Sequence, residues 1–158
     1  MITDVGKPLC LYVLRVALVN IALSGLLAVF VQLFFMELSG SPFDVAYSPA
    51  RKAVAAFLML SISPIVETYI MARLIRIIGF ALDGKGMVAI ISAGFFAILH
   101  AIVNPAWGII VFPAFYTMSL SYLVLVRHSG RKVAFWGVAA MHSLQNIPGA
   151  ISFVFSGV

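Results

Sequence analysis

The chain has 158 residues, 63% of them hydrophobic and only 9% charged, with a mean hydropathy of +1.14. Soluble domains carry roughly 25% charged residues, so a water-soluble globular protein is excluded and a polytopic membrane protein is indicated. The net charge of +5 is spread between apolar runs rather than gathered on one surface, which fits topology control by anionic lipid and argues against nucleic acid as a partner.

The lone Cys10 rules out an internal disulfide and has no metal-type spacing. No long polar stretch leaves room for a second unit, so residues 1–158 are expected to form a single transmembrane domain. A first helix is expected over residues 9–38. Its apolar run exceeds the ~7–15-residue core of a signal peptide and reads as a retained helix. Arg15 near its start can snorkel to the headgroups. Residues 39–49 read as a loop, marked by Gly40, Pro42 and Pro49. A second helix over 50–78 should kink at Pro64 or lose a carbonyl partner there. Gly79 and residues 83–86 form a short turn. A third helix covers 87–104 and stops at Pro105. A fourth covers 107–126 with Pro113 inside it, residues 127–132 make a tight basic loop, and a fifth helix covers 133–155 with Pro148 inside it. The chain shows no internal repeat.

The expected fold is thus an all-α, polytopic helix bundle of about five spans. Lys7, Arg15, Arg73, Arg76, Lys85, Arg127, Arg131 and Lys132 would face the cytoplasm, against Arg51 and Lys52 outside. That asymmetry predicts an N-inside, C-outside topology. Trp136 and Tyr12 then sit near the inner interface, with Trp107 and Tyr47 near the outer one.

Glu67 breaks the apolar pattern. It is one of five acidic residues and has apolar sequence on both sides. A carboxylate in the bilayer costs ~2.5–3.5 kcal/mol on insertion scales, so it is expected to be paired or functional. His100 and His142 also lie in apolar runs. With a rise of ~1.5 Å per residue, Glu67 lies roughly 18 Å, His100 roughly 20 Å and His142 roughly 14 Å from the inner ends of their helices. Asn146, one turn after His142 on the same face, lies roughly 20 Å in. In a hydrocarbon core ~30 Å thick, these four side chains reach one layer near the midplane. The cluster is expected to open to the cytoplasm or sideways to lipid.

Bland readings compete at each position. A lone histidine on an apolar face is more often a packing residue than a catalyst. That reading weakens when a second His and a Glu reach the same depth. Phe96, one turn before His100, reads as a core residue that could limit the His100 rotamers. Asn104 reads as a helix-end residue, and Ser143 and Gln145 point away from the His142 face. Arg73, six residues after Glu67, is no i,i+4 partner and suits headgroup snorkelling. Thr68 can bond back to the carbonyl of residue 64.

Glu67-Thr68 with Arg73, Phe96-x-x-x-His100 and His142-x-x-x-Asn146, in that order on separate apolar segments, resemble the motifs of the CPBP intramembrane proteases. This family is also called the CAAX protease and bacteriocin-processing, or Abi, family, and is described as metalloproteases. The resemblance covers roughly residues 50–150, and the chain looks like a short bacterial member. Thr68 stands where the family usually carries a second glutamate. The resemblance implies hydrolysis of a peptide bond in a membrane-associated or lipidated protein or peptide, in the bacterial cytoplasmic membrane. Glu67 would be general base, His100 would orient the water, and His142 and Asn146 would hold the oxyanion. Thr68, Arg73 and Phe96 would support them. Glu67, His100 and His142 could instead hold Zn2+ or another divalent ion with an open water position.

Two other functions remain open. An inactive relative could serve as a membrane scaffold, a partner subunit or a bacteriocin-immunity factor, which the Glu-to-Thr change at Thr68 favours. A proton-linked transporter subunit could use the same polar residues as a relay. Such proteins more often show paired repeats.

Overall fold

The computed structural model describes residues 8–34 and 48–155. The described residues form five α-helices: α1 (Leu9–Phe34), α2 (Pro49–Leu60), α3 (Ile62–Ala81), α4 (Lys85–Val103) and α5 (Pro105–Phe155). With α2 and α3 taken together, four helical stretches are long and apolar enough to cross a membrane. In lipid every backbone N–H and C=O must be satisfied within its own segment, which a helix does. The long apolar helices mark an integral membrane protein. The end of the first expected helix, residues 35–38, and the expected loop up to Tyr47 lie outside the described residues, as does Lys7.

The outer faces carry the same message. On α1, Tyr12, Val13, Val16, Ala17 and Asn20 are buried, a stripe with helical spacing that faces the bundle. The opposite face exposes Leu11, Leu14, Leu18 and Leu26. A helix that is apolar all round is suited to lipid on the side the protein does not cover.

The second expected helix is two helices. The break is at Ser61, with φ −127° and ψ −68°. Pro64 explains its position: proline offers no N–H to the carbonyl four residues earlier, and its ring crowds that carbonyl. The chain therefore resets one turn ahead of Pro64 instead of bending at it.

The last two expected helices are joined into α5, of 51 residues. If straight it would be about 77 Å long, over twice the ~30 Å hydrocarbon core. Gly130 divides it, with φ 83° and ψ 166°, a conformation that glycine adopts without a Cβ penalty. The two arms, 105–129 and 131–155, fold back on each other. Phe115 of the first arm lies 5.4 Å, centroid to centroid, from His142 of the second. The expected basic loop over 127–132 is thus one non-helical residue, because a single left-handed glycine suffices to turn the chain.

Asn104 does end a helix, and it also starts the next. Its Oδ1 accepts from the backbone N–H of Ala106 at 2.9 Å and of Trp107 at 3.4 Å. Pro105 follows as first residue of α5, where a missing N–H costs nothing. The tight turn that results presses α5 onto α4. A Cβ added to Gly108 would lie 2.6 Å from the Ala97 carbonyl oxygen and 2.7 Å from the Ala101 Cβ. Small residues in this pattern let two membrane helices approach backbone to backbone.

Polar pairs stitch the interior. Ser92 and Ser119 bond across α4 and α5 at 3.1 Å. Thr117 donates to Asn20 Oδ1, and Ser24 of α1 donates to the Ile110 carbonyl at 3.3 Å.

Candidate functional site

Between α1, α2, α3, α4 and both arms of α5 lies a cavity of about 620 Å³. Glu67, His100, His142 and Asn146 all line it. The wall also includes Ser63, Gln145, Trp107 and Phe115. Its lining runs from Glu67 and His142 to Val103, Trp107 and Gly149, toward the end of the bundle where α4 turns into α5. That is the end which the basic residues assign to the outside. The cavity thus extends away from the end of the bundle that carries Arg73, Arg76 and Arg131.

Glu67 sits on α3, one turn after Ser63. The Ser63 hydroxyl donates to Glu67 Oε1. The other carboxylate oxygen, Oε2, is buried with no hydrogen-bond partner and lies 3.9 Å from His142 Nε2. That is too long for a hydrogen bond, and Oε2 is closed to water-sized space, so a water would bridge the two atoms only as the side chains part. His142 is buried and Glu67 is about one-fifth exposed, with side-chain values of 6% and 21%.

His100 is oriented by its own helix. Its Nδ1 lies 2.8 Å from the carbonyl oxygen of Phe96. A carbonyl only accepts, so Nδ1 carries the proton and in the neutral ring Nε2 is left with a lone pair. Phe96 therefore does fix the ring, through its backbone. Its buried side chain stacks on Phe115 at 4.3 Å and 3°. Phe115 in turn touches His100 at 5.4 Å and His142 at 5.4 Å. One phenyl ring thus braces both histidines, while Trp107 meets the His100 ring edge-on at 6.1 Å.

Asn146 lines the cavity, but its Nδ2 donates to the Met59 carbonyl at 2.9 Å. Met59 lies two residues before the Ser61 break, so the amide ties α5 to the end of α2. Gln145, expected to point away, lines the cavity with its Oε1 buried and unpartnered.

Two supporting residues are placed elsewhere. Thr68 is buried, and its hydroxyl has no partner, so the expected bond back to residue 64 is not made. Arg73 is exposed and bonds the Tyr69 hydroxyl, through Nε at 3.2 Å and Nη2 at 2.9 Å. Six residues on, it is turned ~120° round the helix from Glu67 and about one and two-thirds turns along it.

A metal fits this arrangement poorly. Among the described residues no three His, Cys, Asp or Glu side chains stand together as an ion would need. Glu67, His100 and His142 share a cavity without converging on one point. The free Nε2 of His100 is of ligand type, since a ligating histidine commonly gives its other N–H to a carbonyl.

Sequence reading missed Ser63, Phe115 and Gln145. The i,i+4 spacing of Ser63 and Glu67 was a usable signal. Phe115, one of 13 phenylalanines, carried none. Searches of family models, curated proteins and solved structures find no match to this chain.

Proposed function

We propose that the protein is an intramembrane endopeptidase that hydrolyses a peptide bond in a membrane-associated or lipidated protein or peptide. The observation that carries this reading is the unpartnered Glu67 Oε2 facing His142 across 3.9 Å, inside a cavity. A buried carboxylate oxygen with no partner is costly, and a bound water would satisfy it.

In this reading Ser63 holds one oxygen of Glu67, and the other takes a proton from the water. The hydroxide formed attacks the scissile carbonyl carbon, and the tetrahedral oxyanion accepts a hydrogen bond from His142. Glu67 then passes its proton to the leaving nitrogen, giving a carboxylic acid and an amine. His100 does not converge on the Glu67–His142 pair as it stands; once its side chain turns toward them, its free Nε2 accepts a hydrogen bond from the water and aims it. Asn146 already gives one N–H to Met59, so only its second N–H is free for the oxyanion.

The same residues suit the CPBP-type reading, in which five spans run N-inside, C-outside across a bacterial cytoplasmic membrane. In a metal-assisted version Glu67, His100 and His142 would hold a divalent ion after the His100 side chain moves. Equal metal content in purified wild type and His100→Ala discards that version.

Glu67→Gln tests the enzyme reading. It keeps shape and one acceptor but removes the base, and should lower cleavage about 10²–10⁴-fold while the protein stays folded and inserted. The assay is fragment analysis of a membrane-protein library, or of a co-encoded precursor, with purified protein in detergent and in bilayers. Identical fragment patterns from wild type and variant leave the scaffold or partner-subunit reading in its place. That reading has one observation of its own: Asn146 serves as a tie between helices.

A further inference from the structure

A second cavity, of about 820 Å³, lies at the opposite end of the bundle, between the last turns of α3 and the two arms of α5 on either side of Gly130. Arg73 and Arg76 reach it from α3, and Arg131 and Lys132 reach it from the second arm of α5. Only Glu67 and Asp83 are acidic among the described residues, and neither lines it. No ion pair neutralises these four cations among the described residues. Two of them are pre-positioned by aromatic rings. Arg73 lies over Tyr69 at 5.2 Å and bonds its hydroxyl, and Arg76 lies over Phe80 at 6.0 Å.

The positive-inside rule accounts for cations at this end of the bundle. It does not account for their gathering, from two distant stretches of chain, around one cavity. The remaining wall is mostly apolar, with Ile75, Leu123, Val126 and Phe135, and includes Tyr69 and Tyr122. Phe80, at the cavity's edge, is 80% exposed, and Ile77 beside it is 66% exposed. A ligand that fits must be anionic at one end and apolar at the other, and must reach the cavity from the membrane interface. The volume lies in the ~300–1,000 Å³ range of small-molecule sites. Basic pockets between membrane helices suit phosphate-bearing headgroups.

We propose that this cavity binds the headgroup phosphate of an anionic phospholipid, with the acyl chains lying along the exposed face of α3. Phosphate is the recognised chemistry, and the lipid is its source. The site is separate from the Glu67 cavity, so Glu67→Gln should leave it intact whatever the fate of the protease reading.

The test uses the full chain, purified and delipidated in neutral detergent. Phosphatidylglycerol, phosphatidylcholine or inorganic phosphate is added, and retention by native mass spectrometry and the thermal midpoint are read. Phosphatidylglycerol should be retained in preference to phosphatidylcholine and should raise the midpoint, while inorganic phosphate leaves it unchanged. The Arg76→Gln/Arg131→Gln variant should lower phosphatidylglycerol retention about fivefold for each cation lost. Arg51→Gln, at the other end of the bundle, should not. Because charge removal can disturb insertion, Gly79→Trp serves as the second variant. Gly79 lines the cavity, and a Cβ there meets nothing within 4 Å, so a bulky side chain can be added at the cavity wall with every charge kept. It should abolish the preference. Equal retention of the two lipids by wild type overturns the proposal. So does a full midpoint rise with inorganic phosphate, or a preference that survives Gly79→Trp.

Discussion

Gly108→Ala joins packing to function in one substitution. The new Cβ would stand 2.6 Å from the Ala97 carbonyl oxygen, a backbone atom, and 2.7 Å from the Ala101 Cβ. Carbon atoms find their best separation at about 3.5–4.0 Å, so the α4 and α5 backbones must part by roughly 1 Å. No flexible side chain can absorb the strain. Overpacking of this kind costs about 1–3 kcal/mol. The same shift pulls Phe115 of α5 away from His100 of α4, now 5.4 Å apart. The variant should therefore lose stability and catalytic rate together. Stability is read as the midpoint of unfolding in mixed micelles, and rate by the fragment assay on the same preparation. Gly108→Ala with Ala101→Gly relieves one of the two clashes and should recover part of the loss. A variant as stable as wild type would refute the close crossing of α4 and α5.

Three further outcomes follow from single contacts. Thr68→Val replaces a buried, unpartnered hydroxyl by a methyl of the same shape, and should raise stability by about 1 kcal/mol; a fall would mean the hydroxyl has a partner. Asn146→Ala removes the tie to Met59 and should cost about 0.5–1.5 kcal/mol, seen in the same unfolding assay, with a smaller effect on rate than Glu67→Gln. A reporter fused after Val158 that works only outside the cytoplasm should be active, and activity of a cytoplasmic reporter there instead would reverse the proposed N-inside, C-outside orientation.

The helices were legible because hydropathy in a membrane is nearly a rule about helices. Their joints were less so. Pro64 announced a disruption, but its effect falls on the carbonyl four residues earlier, that of Leu60, and the break stands next to it, at Ser61. The run at 127–132 looked like a loop because it is polar. Only the φ of one residue, Gly130, needed to change, and polarity does not report on φ. Helical rise placed Glu67, His100, His142 and Asn146 in one layer, but rise does not report which way a helix face turns, so it did not by itself put them on one cavity. What each atom does there did not follow. The Asn146 amide is spent on the Met59 carbonyl, two residues from the break at Ser61, and the His100 tautomer is set by a carbonyl of its own helix.

Several buried polar atoms of the interior lack a partner, among them the Thr68 hydroxyl and Asn20 Nδ2; Glu67 Oε2 differs from these in facing a histidine. Ser92 with Ser119, and Thr117 with Asn20, bond to each other in the buried core, away from the cavity. Pairs of that kind hold helices together and offer little to a ligand. Glu67 is closed on one side only. Ser63 fixes Oε1, which sets the carboxylate plane, and Oε2 is left toward His142 at 3.9 Å. Both histidines are braced by one phenyl ring that could have been any apolar residue if filling were its only task. A half-satisfied acid beside two oriented imidazoles is destabilising for a scaffold and useful to a catalyst, and that asymmetry favours the hydrolase over the packing reading.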